Sequence, residues 1–117
     1  MRPLCLFTDF GPDGPYVGQV KAALYRHQPE LPVIDLMADA PMFDPQAAAY
    51  LLAALLPHTP DDAVVMGVVD PGVGGSRLPL VVEVDGRLLV GPDNGLFAIA
   101  LRRAVRGRVR AISWRPE

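Results

Sequence analysis

Leu4-Cys5-Leu6-Phe7 is an apolar run cut off at Thr8 and Asp9, and Phe10-Gly11-Pro12-Asp13-Gly14-Pro15 follows it. A short apolar run that ends in turn chemistry predicts a buried strand and then a loop. From Tyr16 the apolar positions switch to helical spacing, with Tyr16, Val20, Ala23, Leu24 and His27 on one face until Pro29 stops the helix. Pro32 to Met37 predicts a second strand. Asp44-Pro45 is an N-cap and first-turn pair, opening a helix that runs through Ala47, Tyr50, Leu51, Ala54 and Leu55 to Pro57. That helix is apolar on nearly every side, so burial on two faces or a subunit contact is expected.

The second half repeats the alternation. Ala63 to Val69 predicts a third buried strand, delivering Asp70 and Pro71 to a glycine-rich loop, Gly72-Val73-Gly74-Gly75-Ser76-Arg77. Leu80 to Val84 and Leu88 to Val90 flank Asp85-Gly86, a strong signal for a two-residue hairpin turn. Pro92-Asp93-Asn94-Gly95 leads into a helix with Leu96, Ala100 and Leu101 on one side, and Arg108 to Trp114 predicts a last strand. Strands that are nearly continuous in apolar residues and alternate with helices imply an α/β class, with a mainly parallel sheet covered by helices on both faces. Ligands of such sheets bind outside the carboxyl ends of the strands, where the strand order reverses. Asp9 and Asp70 both fall at such ends.

Composition narrows the class further. The chain has 117 residues, 50% of them hydrophobic, with a formal net charge of −2. This argues for a folded body and gives no electrostatic case for nucleic acid or an anionic membrane. Arg102, Arg103, Arg106, Arg108 and Arg110 read as the solvated end of a helix and one face of the next strand. One cysteine, Cys5, fits a reduced, cytoplasmic compartment. The first apolar stretch is too short for a signal peptide, and Ala47 to Leu56 is too short for a membrane span.

Several residues can carry chemistry. Asp9 either accepts hydrogen bonds from a ribose diol or caps its own turn. Asp70 ends a buried strand, and Pro71 biases it toward an extended conformation. Across the loop, Arg77 either orients the Asp70 carboxylate and a water or forms a salt bridge that fixes the loop. The loop matches neither glycine-rich phosphate-binding pattern. Phe43, before the helix cap, reads first as a hydrophobic staple and second as a ring packed on a sugar or base. Asp93-Asn94 is explained by a turn and a helix cap. His27 and His58 lack metal spacing, so no metal is expected from them. A set of oxygen ligands from Asp9, Asp13 and Asp70 is the remaining metal arrangement.

Six segments occur together in the order and spacing of a known family. They are Thr8-Asp9-Phe10-Gly11, Tyr16-Val17-Gly18 with Lys21, Val33-Ile34-Asp35-Leu36, Phe43-Asp44, Val68-Val69-Asp70-Pro71-Gly72-Val73-Gly74, and Gly91-Pro92-Asp93-Asn94-Gly95-Leu96. The chain thereby resembles the S-adenosyl-L-methionine hydroxide adenosyltransferases, or SAM hydrolases, relatives of the fluorinase and chlorinase.

The resemblance implies a Rossmann-like N-terminal domain over residues 1–117, truncated before the family's β-rich C-terminal domain. It implies hydrolysis of S-adenosyl-L-methionine to adenosine and methionine by hydroxide attack at the ribose 5′ carbon. That compound is the substrate, and no cofactor is implied. Asp9 matches the carboxylate that holds the ribose hydroxyls, and Phe43 the aromatic residue near the ribose. Pro71 and Gly72 match the backbone that lines the substrate. Asp70 and Arg77 match two members of an Asp-Arg-His set around the attacking water. The histidine is expected beyond Trp114, and Ala38 stands where the family usually has another histidine. A homotrimer is implied, with the site completed by a neighbouring subunit. Two other functional classes accommodate the same residues: a non-catalytic nucleoside-binding or assembly module, and an oxygen-ligand metal hydrolase.

Overall fold

A computed structural model of the chain describes residues 1–41, 44–69 and 79–111. The first half consists of β1 (Leu4–Thr8), α1 (Tyr16–His27), β2 (Val33–Met37), α2 (Pro45–Leu55) and a single 3₁₀ turn, Leu56–His58. The second half consists of β3 (Val64–Val68), β4 (Pro79–Val84), β5 (Arg87–Pro92), α3 (Ala98–Arg103) and β6 (Gly107–Ala111).

The described strands form one sheet in the order β2-β1-β3-β5-β4-β6. β2, β1, β3 and β5 are parallel, whereas β4 is antiparallel to both β5 and β6. The α/β class holds, but the sheet is mixed. The cause is local: Asp85 at φ 49° and Gly86 at φ 93° make a tight reversal, and two residues cannot supply the crossover that a parallel pair needs. The hairpin docks with its second strand inward, so β5 lies beside β3.

β1 is buried along its whole length, as the strand second from one edge with helices on either face. Cys5 and Phe7 share a face with Val65 and Gly67 through the β1–β3 register. This face packs under α2 and α3, in a core that includes Leu52, Leu89, Leu96 and Phe97. α1 lies on the opposite face, where Lys21 reaches Asp35 at 2.8 Å, and Asp35 pairs with Leu6. Two right-handed crossovers leaving β1 and β2 in opposite directions across the sheet require that placement.

α2 starts where its cap predicts, with the Ala47 amide donating to Asp44 Oδ1 at 3.0 Å. Ala48, Ala49, Leu52 and Ala53 are buried, while Tyr50 and Leu51 remain exposed. The helix is therefore covered on one side and not on two. α1 also departs from expectation. Its half-buried stripe is Val17, Val20, Lys21 and Leu24, while Tyr16, Ala23 and His27 are exposed. The Tyr16 ring instead tilts against Phe10, with centroids 6.2 Å apart. Among the described residues no helix is long and apolar enough to cross a membrane.

Candidate functional site

The strand order reverses at β1, which has β2 on one side and β3 on the other. Its carboxyl end is therefore the topological switch point, outside which open α/β sheets bind ligands. Three backbone hydrogen bonds shape the mouth. Asp9 N–H donates to the Val68 carbonyl at 3.3 Å, Gly11 N–H to the Ala38 carbonyl at 2.7 Å, and Ala40 N–H to the Thr8 carbonyl at 3.0 Å. Gly11 takes φ +88°, a conformation open to glycine at little cost, which lets the chain leave β1 and fold back to the end of β2.

Asp9 is half-buried at this mouth, whereas Asp13 is exposed. Thr8, just before Asp9, is 2% exposed, and its hydroxyl has no hydrogen-bond partner among the described residues. Thr8 pairs directly with Val68, so the strand leading to Asp9 and the strand leading toward Asp70 are neighbours in register. Phe43, Asp70, Pro71, Gly72 and Arg77 lie outside the described residues. Ala38 is half-buried and meets the Asp9 loop through its carbonyl, at the edge where the resemblance expects a histidine.

The turn after β5 contributes a residue whose reach is not visible in a local reading. Asn94 Oδ1 accepts from Leu96 N–H at 3.1 Å, the cap expected of it. Its Nδ2 also donates to the Val69 carbonyl at 2.6 Å, joining the β5–α3 turn to the end of the β3 segment. Leu96 and Phe97 are buried beneath this turn. A methyl group on Gly67 would meet the Phe97 ring at 2.9 Å, and one on Gly91 would meet it at the same distance. Glycine at both positions lets Phe97 lie directly on the sheet, which brings Asn94 within reach of Val69.

Beside Asn94 is a groove of about 300 Å³ lined by Gln46, Tyr50 and Arg102, among others. A cavity of about 620 Å³ lies at the other end of the sheet, around the Gly86 turn. Two of its arginines are structural. Arg2 donates to the carbonyls of Asp62 and Gly86, each at 2.6 Å, and Arg87 donates to Thr59 Oγ1 and the Thr59 carbonyl at 2.7 and 2.8 Å. Among the described residues no three His, Cys, Asp or Glu side chains group in a way that could hold a metal ion. Burial pushes the Cys5 thiol above its ordinary value, and the Arg87 guanidinium partly opposes this.

The family profile for the SAM hydroxide adenosyltransferase N-terminal domain matches residues 4–117. The chain belongs to this family. An (R)-S-adenosyl-L-methionine hydrolase of Thermus thermophilus is 48% identical over 101 residues, which cover 86% of this chain and 39% of that protein. A protein of the same name from Methanocaldococcus jannaschii is 37% identical over 99 residues, covering 80% of this chain and 37% of that protein. The crystal structure of an uncharacterized conserved protein from Thermotoga maritima superimposes with a TM-score of 0.88 at 30% identity, over 94% of this chain and 42% of that one. The chain thus spans about two fifths of the length of the curated relatives it matches. The family match spans every strand of the sheet.

Proposed function

We propose that this protein hydrolyses S-adenosyl-L-methionine to adenosine and L-methionine. The observation that carries the reading is the family match over residues 4–117, with relatives named (R)-S-adenosyl-L-methionine hydrolases. The half-buried Asp9 at the topological switch point supports it, since a carboxylate there suits a ribose diol. In this reading Asp9 accepts hydrogen bonds from the ribose hydroxyls, and Phe43 with the Pro71-Gly72 backbone bounds the substrate. The Asp70 carboxylate accepts the proton of the attacking water, while the Arg77 guanidinium orients the pair.

The step balances simply. A water oxygen forms a bond to the ribose 5′ carbon as the carbon–sulfur bond breaks, and the bonding pair returns to sulfur as a neutral thioether. The water's proton passes through the carboxylate to solvent. A sulfonium leaves without an acid, so the site has only to align and partly desolvate its nucleophile. The (R) form named for the relatives is the proposed substrate form, and neither cofactor nor metal takes part. The reading extends to a cytoplasmic homotrimer. The resemblance supports the trimer, and a single free, buried Cys5 supports the compartment.

Turnover in ¹⁸O-labelled water tests the proposal. Adenosine carrying one ¹⁸O, released with methionine, is the expected product. Binding of adenosine without release would instead support the nucleoside-binding module, and loss of activity with a chelator would support a metal hydrolase.

A further inference from the structure

The loop after β1 brings two aromatic rings together. Gly11 turns back at φ +88° and its N–H donates to the Ala38 carbonyl at 2.7 Å. Phe10 and Tyr16, on either side of that turn, meet with ring centroids 6.2 Å apart and planes at 57°. A tilted pair of this kind sets an edge against a face and leaves ring surface free. Tyr16 is 58% exposed, whereas Phe10, which seats it, is half-buried. Phe10 follows Asp9 directly, and consecutive Cα atoms lie about 3.8 Å apart. A nucleoside whose ribose diol sits on Asp9 therefore has its 5′ substituent within a side chain's reach of this pair.

The 5′ substituent of S-adenosyl-L-methionine is a sulfonium, a compact cation. α1 starts at Tyr16 with its positive end toward the loop, and its first turn holds no acidic side chain to offset that. A carboxylate laid against the sulfonium would also offer a lone pair to the 5′ carbon and compete with water. The face of an aromatic ring attracts a ligand cation and brings no such lone pair. Lys21, farther along α1, is held by Asp35 at 2.8 Å.

We propose that the Tyr16 ring, seated against Phe10, receives the sulfonium of the substrate and sets a preference for the charged compound over neutral thioethers. The inference rests on the functional reading above and adds a specificity-determining residue to it. The charge on sulfur fades as the carbon–sulfur bond breaks, so the contact favours bound substrate over the transition state. Its loss belongs in KM and not in kcat.

Tyr16→Leu removes a ring from an exposed position, and Tyr16→Phe keeps the ring without its hydroxyl. Both variants are to be assayed in the full-length protein with S-adenosyl-L-methionine as substrate. The competing ligand is S-adenosyl-L-homocysteine, which lacks the S-methyl group and with it the charge on sulfur. Expected for Tyr16→Leu is a rise in KM of about 3- to 30-fold, the affinity equivalent of a cation–π contact, with kcat no lower than about half. The inhibition constant of S-adenosyl-L-homocysteine should stay within about twofold, since a neutral sulfur gains little from the ring quadrupole. Tyr16→Phe should match the unsubstituted protein in both measurements.

Equal losses for the charged and uncharged ligands, an unchanged KM, a fall in kcat alone, or a Tyr16→Phe variant as impaired as Tyr16→Leu would each overturn the cation contact while leaving the hydrolase reading intact. Absence of adenosine release by the unsubstituted protein would overturn that reading and the inference with it.

Discussion

A methyl group placed on Gly91 would run into the carbonyl oxygen of Gly67 on the neighbouring strand, and into the Phe97 ring lying over both. The two glycines stand one step past the Met66–Val90 pair, where β3 and β5 approach their carboxyl ends. Their missing side chains make room for Phe97, and Phe97 in turn seats the turn that carries Asn94. A packing feature of the core thereby reaches the mouth of the site.

Gly91→Ala is therefore expected to destabilise the fold by about 2–3 kcal/mol, at the upper end for overpacking, because the obstacle is backbone and cannot rotate away. Gly67→Ala meets only the side chains of Leu96 and Phe97 and should cost less, about 1–2 kcal/mol. Urea unfolding of both variants gives the comparison, and equal stabilities would refute the packing argument.

Asp44→Ala should cost about 1 kcal/mol, because it removes the acceptor of the Ala47 amide at the start of α2. Asp44→Asn should recover most of that loss, since the amide oxygen caps as well. Thermal unfolding of the pair reads it directly.

Cys5 is fully buried, and its thiol is held above its ordinary value of 9.0 mainly by burial. A raised thiol value means the unfolded chain releases its proton before the folded one does. The stability from this group is thus complete below the unfolded value and is lost as pH rises through the folded one. Native protein should react slowly with an aromatic disulfide reagent at pH 8 and rapidly after denaturation, and its unfolding midpoint should drop in alkaline solution.

The roles proposed for Asp9 and Asp70 separate in kinetics. Asp9→Asn removes charge from the ribose contact and should weaken adenosine binding by about 10- to 100-fold, the range for hydrogen bonds to a charged group. Asp70→Asn should leave adenosine affinity nearly unchanged and reduce kcat by about 10²- to 10⁴-fold, the usual span for a general base. Calorimetry and single-turnover chromatography measure the two effects. A reversed pattern would exchange the roles.

Local chemistry was legible to within a residue or two. The Asp44-Pro45 start of α2, the Asp85-Gly86 reversal and the Pro29 stop after α1 each depend on the conformational limits of one or two residues. Arg102, Arg103, Arg106, Arg108 and Arg110 are exposed as expected, but Val109 between the last two is exposed as well, so the strand shows no buried alternate face there. The buried stripe of α1 is not legible in the sequence because Lys21 is a charged residue. Its amine instead meets Asp35 across the helix–strand gap, so Val17 and Lys21 take the places assigned to Tyr16 and His27. The turn around Asn94 explains it as a cap, although a cap consumes only the oxygen of the amide and leaves two N–H donors to be accounted for.

Periodicity and turn residues specify elements because they act over a few bonds, and the family motifs carry over because they are strings of adjacent residues. Strand order and reach belong to another scale. Both arms of the hairpin carry an apolar run, so nothing local decides that β5 takes the inner place beside β3. Nothing local tells Asn94 that a carbonyl 25 residues earlier will arrive beside it. Those outcomes follow from packing Phe97 onto Gly67 and Gly91, a contact that exists only once the whole sheet has assembled.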